Sequence, residues 1–324
     1  MPAHPLPPEK VRRVRESYRR TGSVRRTAHE LKLAEWTVRK YAIETPDGAA
    51  AEPRKAKKGC GLPAAAHEGV DLPASVAAEW TPYPIDRPGV WLVLSDAHVP
   101  YHDRATLELA VGEARKRGAV GVLVNGDLLD SHEISRHDKD PRAPRYVQEV
   151  EAGRQFWRWL RDRLPKADLV YKSGNHEERL DAYVMRHAPA LFGLEGLDLP
   201  SLLHLADVGA EWVTDKRVVT LGKLHVVHGH EYPGGAASPV NPARGLYLKA
   251  KYVSMCGHHH RTSEHNDRDI RGKLETAWSV GCACSLHPKY QPINQWNHGY
   301  ALVELASDGM FQVQNKRVVG GQPV

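Results

Sequence analysis

Three apolar runs in the middle of this chain, residues 90–95, 120–125 and 169–173, each end directly on a short block of carboxylate, amide or imidazole side chains. Runs of this length and composition predict buried strands. The stretches between them, Arg104 to Lys116 and Arg145 to Leu164, carry helical spacing. Alternating strands and helices confine the region to an α/β fold with a largely parallel sheet, whose ligand-bearing loops gather at the C-terminal ends of the strands. A strand holds the base of such a loop rigidly while the loop beyond stays open to a substrate.

Five blocks follow this rule or continue it: Asp96-Ala-His98, Gly126-Asp127-Leu-Leu-Asp130, Gly174-Asn175-His176-Glu177, His228-Gly-His230 and Gly257-His258-His259-His260. Carboxylates, an amide oxygen and imidazoles all offer lone pairs at neutral pH, so together they suit divalent cations. The chain has nineteen histidines, and they gather around these blocks, which favours metal or phosphate chemistry over a merely solvated surface. The four cysteines are too few for a disulfide framework, and Cys256, Cys282 and Cys284 read as buried thiols. Cys60 reads as part of a linker.

The order D-x-H, G-D-x-x-D, G-N-H-E, H-G-H, G-H-x-H resembles the calcineurin-like metallophosphoesterase superfamily over residues 90 to 320. The resemblance implies a four-layer α/β/β/α sandwich, two mixed sheets face to face with helices outside, which periodicity alone does not give. It implies two divalent metal ions, manganese first and iron or zinc as alternatives. Asp96, His98 and His260 would hold one ion, and Asn175, His228 and His258 the other, with Asp127 bridging both. His176 would donate a proton to the leaving oxygen or stabilise phosphoryl charge, with the Asp130 carboxylate orienting it. His230 stays open as a phosphate contact or as a substitute for His228. His259 would point away from its neighbours if the segment is extended. Phosphoprotein phosphatases of this superfamily continue the second block with Arg-Gly, where this chain has Ser131-His132, so a protein phosphatase is not expected. Trp278-Ser-Val-Gly-Cys-Ala-Cys284 and Asn297-His-Gly-Tyr300 resemble phage and prophage members described as repair or exonuclease-like enzymes.

The charge is unevenly spread. Residues 1–45 hold eleven Lys/Arg against five Asp/Glu, while the remainder of the chain is close to neutral. Helical spacing predicts helices over 8–21, 24–31 and 34–42, the first opening at Pro8 and stopping at Gly22, the second capped by Ser23. The three resemble a helix-turn-helix DNA-binding domain, with Ala28, Leu31, Leu33, Val38 and Tyr41 sealing the corner. Glu35, Trp36, Thr37, Arg39 and Lys40 would be the outward residues of the third helix, with Trp36, Thr37, Arg39 and Lys40 as DNA contacts. Lys32, standing where such a turn often has glycine, must then take a left-handed conformation or a variant turn. The alternative is a basic helical hairpin that packs against protein.

The expected organisation is therefore a helix-turn-helix domain at 1–45, a linker rich in Ala, Pro and Lys at 46–88, and a metallophosphoesterase domain at 89–324. Val76 to Tyr83 would dock on the latter. No apolar run is long enough to span a bilayer and the first residues lack a secretory core, so the expected location is the cytoplasm of a bacterial or phage-infected cell, with no membrane partner. The functional expectation is a phosphodiesterase or nuclease acting on DNA. Arg154, Arg158 and Arg161 on one helix, with Arg136, Arg142 and Arg145, offer a basic track or else a solvated face. The alternatives are a phosphomonoesterase or cyclic-nucleotide phosphodiesterase localised by the N-terminal module, and a DNA-binding regulator with a vestigial catalytic fold.

Overall fold

The computed structural model describes residues 6–39, 41–42, 72–232 and 240–324, without the side chain of Trp36. Its contacts divide the chain into two units, Met1–Val76 and Ala77–Val324. Cys60 and the basic stretch 54–58 lie outside the described residues.

The first unit is three helices, α1 (Pro8–Thr21), α2 (Val24–Leu31) and α3 (Glu35–Arg39). Proline suits the first turn of α1, where its missing N–H would have no partner anyway. Gly22 ends that helix at φ 62°, and the Ser23 hydroxyl accepts the N–H of Arg26 to cap α2. Lys32 does adopt the left-handed conformation, at φ 50° and ψ 45°. The third helix is shorter than its pattern suggests, with residues 41–42 in a π-type turn. Val14, Ala28 and Val38 form its core, ringed by Tyr18, Leu31, Leu33 and Tyr41. Three such side chains supply only a few kcal/mol, at roughly 1.5–3 kcal/mol for each large aliphatic group. The bond from Ser17 to Glu30 and the ion pair of Arg20 with Glu30 tie α1 to α2 besides.

The second unit holds two sheets. One runs β13 (Gln322–Pro323), β12 (Phe311–Val319), β11 (His298–Leu305), β2 (Gly89–Leu94), β3 (Gly121–Asn125), β4 (Asp168–Lys172), β5 (Ala210–Val213). The other runs β1 (Tyr83–Ile85), β6 (Val219–Leu221), β7 (Leu224–Val226), β8 (Ser254–Cys256), β10 (Leu274–Ser279), β9 (Ser263–Arg268). Strands β2 to β5 are parallel, so their C-terminal ends share one edge.

Alternation along the strands sorts the core. Trp91, Val93, Leu123 and Val170 meet Val219, Leu221, Val226 and Met255 of the other sheet. Leu92, Leu94, Val122 and Val124 face the opposite way, onto Leu107 and Ala110 of α4 (Arg104–Lys116) and Phe156 and Trp157 of α5 (Tyr146–Arg163). On the far side, Ala243 and Leu246 of α8 (Pro242–Ala250) cover Cys256 and Ala277. Helices therefore flank a pair of packed sheets, the layering expected for the catalytic region. Two further helices, α6 (Glu178–His187) and α7 (Leu199–Leu202), follow β4.

The boundary of the linker needs correction. Tyr83–Ile85, in the stretch whose composition reads as linker, pairs in parallel with Val219–Leu221 and forms an edge strand. Just before it, the indole N–H of Trp80 donates to the main-chain oxygen of Asp215 at 3.0 Å, and Arg217 donates to the oxygens of Thr81 and Pro82. Among the described residues, no helix is long and apolar enough to cross a membrane.

Candidate metal centre

Every block sits where a strand ends. Asp96 and His98 follow β2, Asp127 follows β3, Asn175 and His176 follow β4, His228 follows β7, and His258 and His260 follow β8. The backbone there is strained. Of the eleven described non-glycine residues with positive φ, five are Asp96, His98, Asp127, His258 and His260. Each such residue costs on the order of 1–2 kcal/mol, a price that clusters at functional sites. The segment at 258–260 is thus not extended, and strand alternation does not govern His259, whose Nε2 is buried without a hydrogen-bond partner. Gly174 is required by contact: a Cβ there would lie 2.3 Å from Asp127 Oδ1.

The side chains converge on Asp127. Its Oδ2 lies 3.3 Å from His228 Nε2, 3.9 Å from His98 Nε2 and 3.7 Å from His176 Nε2. The His260 Nε2 atom is 3.2 Å from Asp96 Oδ1 and also 3.2 Å from His98 Nε2. At that distance one ring can donate to the other, or both lone pairs can face a shared cation. Metal-competent clusters are formed by Asp127, His228 and His258 and by His98, Asp127 and His176, their ligand atoms within 4.8 Å of one another. Asn175 Oδ1, His228 Nε2 and His258 Nδ1 are buried without a hydrogen-bond partner, as ligands awaiting a cation would be.

Hydrogen bonds behind the ligands select the tautomers. The Nδ1–H of His228 donates to the Asn125 carbonyl at 2.7 Å, and that of His98 to the Asp130 carboxylate at 3.1 Å. Both leave Nε2 free toward the centre, the arrangement of metal-binding histidines. Asp96 in turn accepts the His258 N–H at 2.9 Å.

The electrostatics say the same. Burial would raise the Asp127 carboxyl, but His176 and His228 beside it hold it well below the usual carboxylate range. Asp96 is likewise held low by His260 and His228 against the effect of burial. Burial would lower His228, yet Asp127 and Asp96 push it up to about 10. His258, by contrast, is pushed down to about 4 by burial and by His228. Two carboxylates here demand positive charge among imidazoles too crowded to supply it all, which divalent cations would meet. The residues fit two such ions.

His176 and Asp130 stand at the edge of this group, but the link between them differs from the expectation. The Asp130 carboxylate faces His98, while its main-chain oxygen accepts the Nδ1–H of His176 at 2.7 Å, the carboxylate staying 3.7 Å away. Leu128, Leu129 and Asp130 run parallel to the His98–Val99 backbone, the Val99 N–H donating to the Leu128 oxygen at 2.6 Å and the Asp130 N–H to the Val99 oxygen at 3.1 Å, which fixes where that loop carbonyl lies. Burial pushes His176 down to about 3, helped by His98 and Arg179 and against the pull of Asp127. His230 lies apart, its Nε2 2.8 Å from Glu178 Oε1, whereas His228 shares the cluster with Asp127 and His258.

Several residues escaped the reading of the sequence. Glu177, the last letter of its block, accepts the N–H groups of Asp127, Leu128 and Gly174 and the hydroxyl of Tyr171. Its acidity just before a helix was the available signal. Glu231 accepts the N–H groups of His228 and Gly229, paired with the fully buried Lys172 at 2.9 Å. Arg179 donates to His176 Nε2 at 2.8 Å and to the Asp130 carbonyl at 2.7 Å. Trp296 lies over His260, ring centroids 4.0 Å apart. Cys284 joins His98 and His260 in a third cluster, where Cys282 and burial push its thiol far up while no cation is bound.

Of the residues expected to meet DNA, Arg39 is exposed. Thr37 is not outward: it is 8% exposed, turned in beside Val38 against the small core. The short α3 leaves fewer faces free than a nine-residue helix would. Lys40 and the side chain of Trp36 lie outside the described residues. The proposed arginine track is largely engaged. Arg154 donates to the Leu202 carbonyl and Arg161 to those of Val208 and Ala167, stapling the segment around α7, while Arg158 pairs with Glu151, Arg142 with Asp140 and Arg145 with Glu133.

No family model matches the chain. It is similar to the Gene 54 protein of Mycobacterium phage L5, 24% identical over an aligned length of 247, with 71% of this chain and 94% of that protein covered. Among solved structures it is similar to a single mutant of Vps29 from Entamoeba histolytica (14% identity, 72% of this chain and 96% of that one, TM-score 0.39). It is also similar to YfcE, a phosphoesterase from E. coli (17%, 69% and 98%, TM-score 0.32), and to a dimetal phosphatase from Danio rerio (11%, 71% and 96%, TM-score 0.34).

Proposed function

We propose that this chain is a calcineurin-like phosphoesterase that uses two divalent cations to cleave phosphodiester bonds of DNA, to which its N-terminal helices bind as a helix-turn-helix. The observation that carries the reaction is Asp127, a buried carboxylate whose Oδ2 lies 3.3 Å from His228 Nε2 and 3.9 Å from His98 Nε2. Asp96, His98, His260 and Asp127 would hold one cation, and Asp127, Asn175, His228 and His258 the other. Manganese is the first candidate, since oxygen and imidazole donors suit it as they do iron and zinc. A bound pair would activate water at neutral pH and take up charge on the attacking and leaving oxygens.

The chain's own part is positioning. Glu177 and Gly174 fix Asp127, Asp130 and Asn125 orient His98 and His228, and the parallel strand ends hold these loops at one edge. DNA enters the reading through the N-terminal unit, where Arg13, Arg19, Arg25, Arg26 and Arg39 are exposed on a strongly basic segment. Tethering a reader to a cutter raises the local concentration of substrate without new contacts at the metals.

One observation favours a second reading. The arginines that would lead DNA to the metals mostly bond within the protein. That suits a phosphomonoesterase or cyclic-nucleotide phosphodiesterase which the N-terminal unit only localises. A vestigial fold is disfavoured, because no ligand type is missing. The deciding experiment is a substrate panel with manganese: single and double strands, cyclic nucleotides and monoesters. Cleavage of DNA supports the first reading; turnover of monoesters with every DNA left intact replaces it by the second.

A further inference from the structure

The ring of His176 is engaged at both nitrogens. Its Nδ1 lies 2.7 Å from the Asp130 carbonyl, which can only accept, so Nδ1 carries the hydrogen. Its Nε2 lies 2.8 Å from Arg179 Nη2, which can only donate, so Nε2 presents its lone pair. In this arrangement the nitrogen nearest the metal centre, 3.7 Å from Asp127 Oδ2, has no proton to give. A proton donor needs the opposite assignment.

Arg179 occupies the first turn of α6, three residues after His176. Its guanidinium is pinned at Nη2 by His176 and at Nη1 by the Asp130 carbonyl, and it is only partly exposed. These two bonds use two of its five N–H groups. The others remain on a planar fork of fixed charge, one hydrogen bond beyond a ring that touches the centre. Such a fork matches two oxygens of a phosphoryl group.

Resting on the phosphoesterase reading, we propose that Arg179 grips a phosphoryl oxygen of the substrate and that His176 is a positioning residue that aims it. No proton is transferred in this role: His176 keeps its Nδ1 hydrogen, and the guanidinium stabilises the charge of the phosphoryl oxygens by hydrogen bonding alone.

The probe is inorganic phosphate, titrated calorimetrically into the manganese-loaded full chain, with metal content measured in parallel. Arg179→Ala should weaken phosphate binding about ten- to hundredfold, the weight of one or two charge-assisted bonds, while still holding two ions per chain. Arg179→Lys should fall between, which also guards against a variant that fails to fold. His176→Gln, whose amide oxygen can accept the same N–H, should keep phosphate affinity within about threefold, and His176→Leu should lose it. Phosphate affinity unchanged in Arg179→Ala would overturn the inference, as would equal loss of kcat in His176→Gln and His176→Leu with affinity intact. A wild-type protein that binds no phosphate and hydrolyses no ester with two ions bound would remove the phosphoesterase reading itself.

Discussion

Glu177 is fastened to Asp127 through the main chain, its Oε2 accepting the aspartate's N–H at 2.8 Å and that of Gly174 at 2.7 Å. A buried carboxylate thus holds the loops of two strands in one place and sets the aspartate from behind. Glu177→Gln turns one acceptor into a donor facing donors. We expect about 1–3 kcal/mol of lost stability, a melting shift of several degrees, and a ten- to hundredfold weaker grip on metal. Thermal unfolding and manganese titration of the variant test this; unchanged metal affinity would detach Glu177 from the centre.

Gly174→Ala should act at the same point by a different route. Its Cβ would stand 2.3 Å from Asp127 Oδ1 and 2.6 Å from Asp127 N, backbone as well as side chain, so the loop must shift. Gly112→Ala is the control: in α4, with nothing within 4 Å of the added carbon, it should be neutral or stabilise by up to about 1 kcal/mol. Metal binding lost in the first and kept in the second is the expected pair.

Glu149 makes stability depend on pH. Its carboxyl is buried, and burial and Asp130 raise it from 4.5 to about 7, against the Ser131 N–H that favours the charged form at 2.6 Å. The folded chain therefore keeps a proton that the unfolded chain releases first. Its contribution is full below about pH 4.5 and is lost as pH rises through 7, by about 3 kcal/mol at most. Glu149→Gln should flatten that slope in urea unfolding between pH 5 and 8. An equal slope in both proteins would assign the proton elsewhere.

What the sequence made legible was whatever an apolar run or a helical stripe announces. The strands β2, β3 and β4 end on their ligand blocks as expected, and α1, α2 and α4 keep their expected limits. Strand β9, Ser-Glu-His-Asn-Asp-Arg, was illegible because it is polar on both faces and is held by pairing with β10 rather than by burial. Strand β1 is three residues long in a proline-rich stretch and exists through its partner Val219–Leu221. In the centre, ligand identities were readable from residue type. The Asp130 carboxylate's choice of His98 over His176 was not, since a turn of the loop decides it.

The two sets of arginines should behave oppositely toward DNA. Arg39→Ala, at an exposed position, should weaken duplex binding and reduce its salt slope by about one. Arg154→Ala should leave DNA affinity unchanged but cost about 1–2 kcal/mol, because the Leu202 carbonyl loses its donor. Fluorescence anisotropy over a salt series, with unfolding measured beside it, separates them. An Arg154 variant that loses DNA affinity would restore the basic track.

The most direct test of a two-cation centre is the rate of bis(p-nitrophenyl) phosphate hydrolysis as manganese is added to metal-free protein. The rate should rise to a plateau at two ions per chain and should vanish in Asp127→Ala, the residue shared by both sets. A plateau at one ion, or hydrolysis that survives without metal or without Asp127, would contradict the account.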